Sequence, residues 1–268
     1  MSRVHRSVPR VVAHRGASAE AAEHTLAAYV LALEQGADGL ECDVRMTRDG
    51  HLVCIHDSRI DRTSTGRGPV SAFDLATLAA YDFGGWRDDL DANGPTSDAG
   101  RPHVGVLTLA QLLGLVADWP DPVQLFIETK HPVPQRGLIE ATLVTLLAQH
   151  GLASPKSRDD SPVVVMSFSA KALRRVRAAA PQLPTVALLP TLGGVRSGDL
   201  PPWADIAGPR FSAVQADPSF VLRAAAHGHP TYCWTIDEPD EVAQCAELGV
   251  AYLATNRPGA AVRQLSGS

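Results

Sequence analysis

The chain is poor in aromatic residues, which occupy 5% of its 268 positions, so aliphatic side chains have to build most of its core. Cysteine is sparse. Cys42, Cys54, Cys233 and Cys245 form no C-x-x-C pair and make no disulfide framework, so four reduced, buried thiols are expected. Long hydrophobic runs are missing too. The basic stretch Met1–Arg10 is followed only by Val11-Val12-Ala13. That falls short of the roughly 7–15 apolar residues of a secretory signal and the about 20 of a membrane span, so a cytoplasmic protein with no stable membrane association is expected. The formal net charge is -5, but no block of like charge occurs, which argues against nucleic acid as a partner. Lysine is scarce: Lys130, Lys156 and Lys171 stand against 21 arginines.

What is present is a regular alternation. Strand-like runs are expected at 11–14, 38–44, 51–56, 124–129, 163–168, 185–189, 213–216, 231–236 and 251–254. Helical patterns cover 24–35, 108–117, 137–150, 170–180, 218–227 and 238–248. Runs such as Val163–Met166 are apolar without alternation, as suits parallel strands covered on both faces. Thr47-Arg48-Asp49-Gly50 is a hairpin signal, so 51–56 should return antiparallel along 41–46, with paired residue numbers summing to about 98. Setting that strand aside leaves eight strands with helix-sized segments between them. This is the pattern of an α/β (β/α)8 TIM barrel, read as one domain over 1–268 with a β-hairpin after strand 2. Residues 57–107, rich in Asp, Gly, Thr and Arg and including Asp88–Pro95, read as a segment inserted over one face of the barrel.

In such barrels the reactive groups sit at the C-terminal ends of the strands, where the loops converge. Polar residues fall there repeatedly: His14-Arg15-Gly16, Glu41-Cys42-Asp43, His56-Asp57, Glu128-Thr129-Lys130, Ser167-Phe168, Gln215-Ala216-Asp217, Trp234-Thr235 and Thr255–Pro258. Glu41 and Asp43 share one face of their strand, and Glu128 arrives from a neighbouring strand end. Three converging carboxylates suit a hard divalent cation, Ca²⁺ or Mg²⁺ with Mn²⁺ also compatible, or else pairing with arginines. The hairpin register brings His56 beside Glu41, and His14 enters the same mouth. Two imidazoles flanking a phosphorus atom can serve as base and acid near neutral pH. Arg15 suits bidentate phosphate contact. Lys130 reads as a point charge on phosphate or as a partner of a carboxylate. Trp234 reads as a pocket wall or as core packing. His5, His51, His103, His150, His227 and His229 fall on loops, on helix ends or outside the hairpin.

Taken together, His14-Arg15-Gly16, Glu23-His24-Thr25, Glu41-Cys42-Asp43, His56-Asp57, Glu128-Thr129-Lys130, Ser167-Phe168, Trp234-Thr235 and Thr255–Pro258 resemble the glycerophosphodiester phosphodiesterase family from about residue 11 to 259. The resemblance implies metal-dependent hydrolysis of small glycerophosphodiesters to sn-glycerol 3-phosphate and an alcohol. It implies His14 and His56 as acid/base residues, Glu41, Asp43 and Glu128 as ligands of Ca²⁺ or Mg²⁺, and Arg15 and Lys130 on phosphate. Glu23 would be a further ligand or a support for the ligands. The chain departs from the usual pattern at Ala22–Thr25, where Pro-Glu-Asn-Thr is common. It also departs at Asp237, where Asn is common, and at Asn256, where Asp is common.

Attack by the neighbouring glycerol hydroxyl, through a cyclic phosphate, remains open as a variant of the chemistry. The rival readings are a lipid-directed phosphodiesterase of phospholipase C or D type, with Phe73, Tyr81, Phe83 and Trp86 of the insertion at the membrane, and a non-catalytic phosphodiester-binding barrel. A binder would need the cations but not the pair of histidines.

Overall fold

A computed structural model describes residues 8–87, 102–135 and 137–267. Eight parallel strands form the ring: β1 (Arg10–His14), β2 (Gly39–Met46), β4 (Gln124–Thr129), β5 (Val163–Ser167), β6 (Thr185–Leu189), β7 (Ile206–Pro209), β8 (Tyr232–Cys233) and β9 (Tyr252–Thr255). Their hydrogen-bonded order is β7-β6-β5-β4-β2-β1-β9-β8. Isolated parallel bridges, Ala207 with Thr231 and Arg210 with Trp234, join β7 to β8 and close the barrel. β3 (Leu52–Cys54) lies off this path and pairs antiparallel with β2. Its pairs, Val44 with Cys54, Arg45 with Val53 and Met46 with Leu52, each sum to the 98 expected from the Asp49-Gly50 turn, where Gly50 supplies a φ of 90°.

Outside the ring lie α1 (Leu26–Glu34), α2 (Leu75–Ala79), α3 (Leu109–Asp118), α4 (Leu138–Gln149), α5 (Ala170–Ala179), α6 (Phe211–Ala216), α7 (Phe220–Ala226), α8 (Pro239–Leu248) and α9 (Pro258–Ser266). Local chemistry starts several of them. Thr25, Asp74 and Ser169 cap α1, α2 and α5, and Thr108 with Gln111 forms a capping box on α3. Alternation along the strands then sorts the side chains. Cys42, Val44, Leu125, Ile127, Val163 and Val165 face the helices. Val12, Phe126, Val164, Met166, Val186, Leu188, Tyr232 and Ala254 fill the barrel interior. Phe126 packs on Tyr232 and Tyr252 with ring centroids 5.0 and 5.1 Å apart. Phe126, Tyr232 and Tyr252 thus help to fill the barrel interior. All four cysteines are free and buried, as expected.

One strand lies elsewhere than the sequence pattern predicts. The run 213–216, expected as the seventh strand, belongs to α6, and the strand is Ile206–Pro209. Gly208 and Pro209 read as strand breakers, yet a Cβ on Gly208 would sit 2.6 Å from Val186 Cγ1. Glycine is therefore required for β6 and β7 to approach. Asp217 accordingly lies not at the barrel mouth but at the end of α6, paired with Arg223. The eighth expected strand, 231–236, is reduced to Tyr232–Cys233.

The inserted segment builds its own apolar cluster on the hairpin, from Val53, Ile55, Ile60, Val70, Leu78, Phe83 and Val106. Phe73 and Tyr81 pack against that cluster, and the guanidinium groups of Arg62 and Arg87 lie 5.5 and 5.6 Å from the centre of the Trp86 ring. Of these aromatics Phe83 is buried, and Phe73, Tyr81 and Trp86 are partly buried. Asp88–Pro95 lies outside the described residues. No helix among the described residues is long and apolar enough to cross a membrane.

Candidate active site

The strand registers assemble the site. His14 on β1 is the partner of Glu41 on β2, and Asp43 on β2 is the partner of Glu128 on β4. Being in register on neighbouring parallel strands, each pair projects to the same face, into the C-terminal mouth. There a cavity of about 130 Å³ is lined by His14, Arg15, Glu41, His56, Glu128, Lys130, Met166, Phe168, Leu188, Tyr232, Trp234 and Thr235. Asp43 lies just behind, and one oxygen from each of Glu41, Asp43 and Glu128 falls within 4.8 Å of the others. The histidines, the three carboxylates, Arg15, Lys130 and Trp234 are thus brought to one place.

The turn after β1 is shaped for this. Arg15 and Gly16 have φ of 61° and 85°, and a Cβ on Gly16 would meet the Ala28 backbone at 2.7 Å. Only glycine fits that close approach to α1. The turn aims the Arg15 backbone N–H at Glu41 Oε2 (3.1 Å) and its guanidinium at Asp43 and Glu23 (both 3.1 Å).

Asp43 carries the densest set of donors. Lys130 Nζ lies 3.2 Å from Asp43 Oδ1 and 2.9 Å from Glu128 Oε1. His24 Nε2 lies 3.0 Å from Asp43 Oδ2. Burial works to raise the pKa of Asp43, but the His24 hydrogen bond and the charges of Lys130 and Arg15 outweigh it and hold this carboxyl well below its ordinary range. Glu41 and Glu128 go the other way. Burial and the neighbouring Asp43 charge push Glu41 well up and Glu128 to about 8. The site thus holds more carboxylate than Arg15 and Lys130 neutralise. That surplus, together with an all-oxygen donor set, fits a hard cation, so these three residues could hold a metal.

The two histidines are held through Nδ1, each by a different group. His56 Nδ1 meets Asp57 Oδ1 at 2.8 Å, and His14 Nδ1 meets Asn256 Oδ1 at 2.8 Å. Burial, reinforced by Arg15, lowers the pKa of His14 to about 4. Burial also lowers that of His56, with the Asp43 charge opposing. Glu23 is not among the three clustered carboxylates. It takes two hydrogen bonds of 2.8 Å from Arg62 of the inserted segment, which also holds Asp57 at 2.7 Å.

Several contributors were not read as site residues. His24 is buried against Asp43 and Tyr29, and its place in the Glu23-His24-Thr25 motif is the sequence signal for it. Arg45, on the same face of β2 as Glu41 and Asp43, donates to the His56 carbonyl at 3.0 and 2.7 Å. Tyr232 lines the cavity, and its buried hydroxyl finds no hydrogen-bond partner among the described residues. Trp234 donates its Nε1–H to the Gly208 carbonyl and packs edge-on to the half-exposed Phe168. It is at once a cavity wall and part of the β7–β8 seam.

Residues 14–260 match the profile of the glycerophosphoryl diester phosphodiesterase family. The chain is 51% identical over 252 residues to the probable glycerophosphodiester phosphodiesterase 1 of Mycobacterium tuberculosis, covering 94% of this chain and 90% of that one. It is 31% identical to a glycerophosphodiester phosphodiesterase of Bacillus subtilis, over 92% and 83% of the two chains. Its fold superposes on the crystal structure of a glycerophosphodiester phosphodiesterase from Agrobacterium tumefaciens with a TM-score of 0.77 at 26% identity, covering 97% of this chain and all of that one. The chain therefore belongs to the glycerophosphoryl diester phosphodiesterase family, a family of phosphoric diester hydrolases.

Proposed function

We propose that this enzyme hydrolyses water-soluble glycerophosphodiesters to sn-glycerol 3-phosphate and an alcohol, with His14 and His56 exchanging the protons and Glu41, Asp43 and Glu128 holding Ca²⁺, Mg²⁺ or Mn²⁺. The observation that carries this reading is the meeting of two imidazoles, three carboxylates and two cations around one cavity. Each imidazole is tied down at Nδ1, which leaves Nε2 for the substrate. One ring takes the proton of the attacking hydroxyl and the other gives a proton to the departing alkoxide. Arg15 and Lys130 offer the phosphoryl oxygens donors that are fixed in advance by Asp43, Glu23 and Glu128. A bound divalent cation supplies charge neutralisation at those oxygens. Trp234 and Phe168 give the mouth an apolar side, against which the uncharged part of the substrate packs.

The direct test is release of glycerol 3-phosphate from glycerophosphocholine, with EDTA and after add-back of Ca²⁺, Mg²⁺ or Mn²⁺, and with lysophosphatidylcholine as a competing substrate. Release that is lost in EDTA and restored by a divalent ion is expected, with the lysolipid turned over more slowly. Preference for the lysolipid would move the enzyme to the lipid-directed class. Binding of glycerophosphocholine without turnover would make it a non-catalytic barrel.

A further inference from the structure

The geometry points to Asp237 and Asn256 as positioning residues that decide which ring nitrogen of His14 faces the substrate. This rests on the reading of His14 as a proton-transfer group. Distances alone distinguish neither the two ends of a carboxamide nor the site of an imidazole proton; the surrounding hydrogen bonds do. The Asn256 side chain bridges His14 Nδ1 at 2.8 Å and Asp237 Oδ2 at 2.6 Å. An ionised carboxylate only accepts, so the amide must turn its NH2 to Asp237 and its oxygen to His14. That oxygen also only accepts, so the proton of neutral His14 resides on Nδ1. The lone pair then sits on Nε2, the nitrogen 4.0 Å from Glu41 Oε2.

The remaining contacts agree. Asp237 Oδ1 accepts from the Asn256 backbone N–H at 2.8 Å and from Thr255 Oγ1 at 3.1 Å, so the carboxylate cannot swing away. Ser18 Oγ lies 2.8 Å from both Asn256 Oδ1 and the His14 carbonyl, and with its one proton turned to Asn256 it supports Oδ1 as the acceptor. The segments following β8, β9 and β1 are thereby linked in one line, Asp237 to Asn256 to His14. His56 receives the same orientation in one step, from the Asp57 carboxylate itself.

Without Asp237 the Asn256 amide keeps only Ser18 Oγ, a hydroxyl that can donate or accept, and can turn over. Turned over, it would offer N–H to Nδ1 and draw the ring proton to Nε2. A base would then have its lone pair on the wrong nitrogen. A protonated ring, serving as acid, would lose the acceptor for its Nδ1–H. The arrangement therefore matters whichever role His14 plays.

Two measurements on Asp237→Ala test this. Nitrogen-15 spectra of the imidazoles, with His14 identified by its loss in His14→Ala, should show the Nδ1–H form in the wild type and a shift toward Nε2–H in the variant. Turnover of glycerophosphocholine should fall by about 10²-fold in kcat, at the low end of what one acid/base group contributes, with KM changed less than about two-fold. Exchanging the pair, as Asp237→Asn with Asn256→Asp, puts an acceptor back on Nδ1 and should restore the Nδ1–H signal and most of kcat. If Asp237→Ala does not fold, the near-isosteric Asp237→Asn replaces it, with the same shift expected in smaller degree. An Nε2–H ring in the wild type, a tautomer indifferent to residue 237, or an exchanged pair no better than Asp237→Ala would overturn the assignment. The spectra read the ring without turnover, so an inactive wild type would sink the proposed reaction and still leave this inference decided.

Discussion

His14 and His56 share a cavity but not a neighbourhood. One leans on a carboxamide and the other on a carboxylate. Neither ring packs in the apolar core, so His14→Ala and His56→Ala should each lower kcat by about 10²–10⁴-fold while leaving the thermal midpoint within a few degrees. A variant with ordinary kcat would remove that ring from the mechanism. Tyr232 makes a different prediction. Its hydroxyl is buried without a partner among the described residues, a condition that costs about 1–3 kcal/mol. Tyr232→Phe keeps the packing on Phe126 and Tyr252 and should therefore be at least as stable as the wild type, with a denaturant midpoint equal or higher. A clear loss of stability would mean that the hydroxyl is bonded in the free protein.

At the level of elements, the inserted segment is tied to the site chiefly by Arg62, which grips Glu23 and Asp57 together. Burial alone would raise both carboxyls, but the Arg62 hydrogen bonds, aided at Glu23 by the Arg15 charge and at Asp57 by His56, hold each at about 2. A depressed acid pKa contributes stability above the unfolded-state value and loses it as pH falls through the folded one. Arg62→Ala should thus be less stable than the wild type by about 1 kcal/mol near neutrality, a modest figure because Arg62 is half exposed. The gap should close as pH falls from about 5 toward about 2, which thermal melts across that range would show. A gap independent of pH would assign the effect to lost packing on Trp86.

The elements also show how far the sequence could be read. Asp49-Gly50 is a local signal, so the hairpin and its register were legible, and with them the approach of β3 to the carboxylates of β2. Polar residues at strand ends marked the mouth because the barrel sends every strand the same way. β7 was not legible, since its glycine is required by contact with Val186, a residue some twenty positions away that no local pattern reveals. His24 and Asn256 escaped for a related reason. Their significance lies in partners on other strands, Asp43 and His14, and not in their own surroundings in the chain.

At the scale of the whole molecule, a cation held by the carboxylate cluster, as proposed, would couple folding to binding. Three buried acids with two raised pKa values strain the free protein, and a ligand that binds only the folded state stabilises it by about 2.7 kcal/mol at a hundred times Kd. For a chain of this size that is a rise of about 5–10 °C in the melting midpoint. Adding Ca²⁺, Mg²⁺ or Mn²⁺ to EDTA-treated protein should produce such a rise, and Glu41→Gln should blunt it. Indifference to all three ions would argue against a metal at this cluster.

The alternation along β2 has one more consequence. Glu41 and Asp43 face inward, while Cys42 and Val44 face the helices. A slip of one residue would drive two carboxylates into the apolar layer and turn Cys42 and Val44 toward the mouth. The carboxylates proposed as metal ligands would therefore also help to fix the register of the strand. A register that drives these carboxylates into the apolar layer is disfavoured, so the pattern that builds the candidate site also selects the fold.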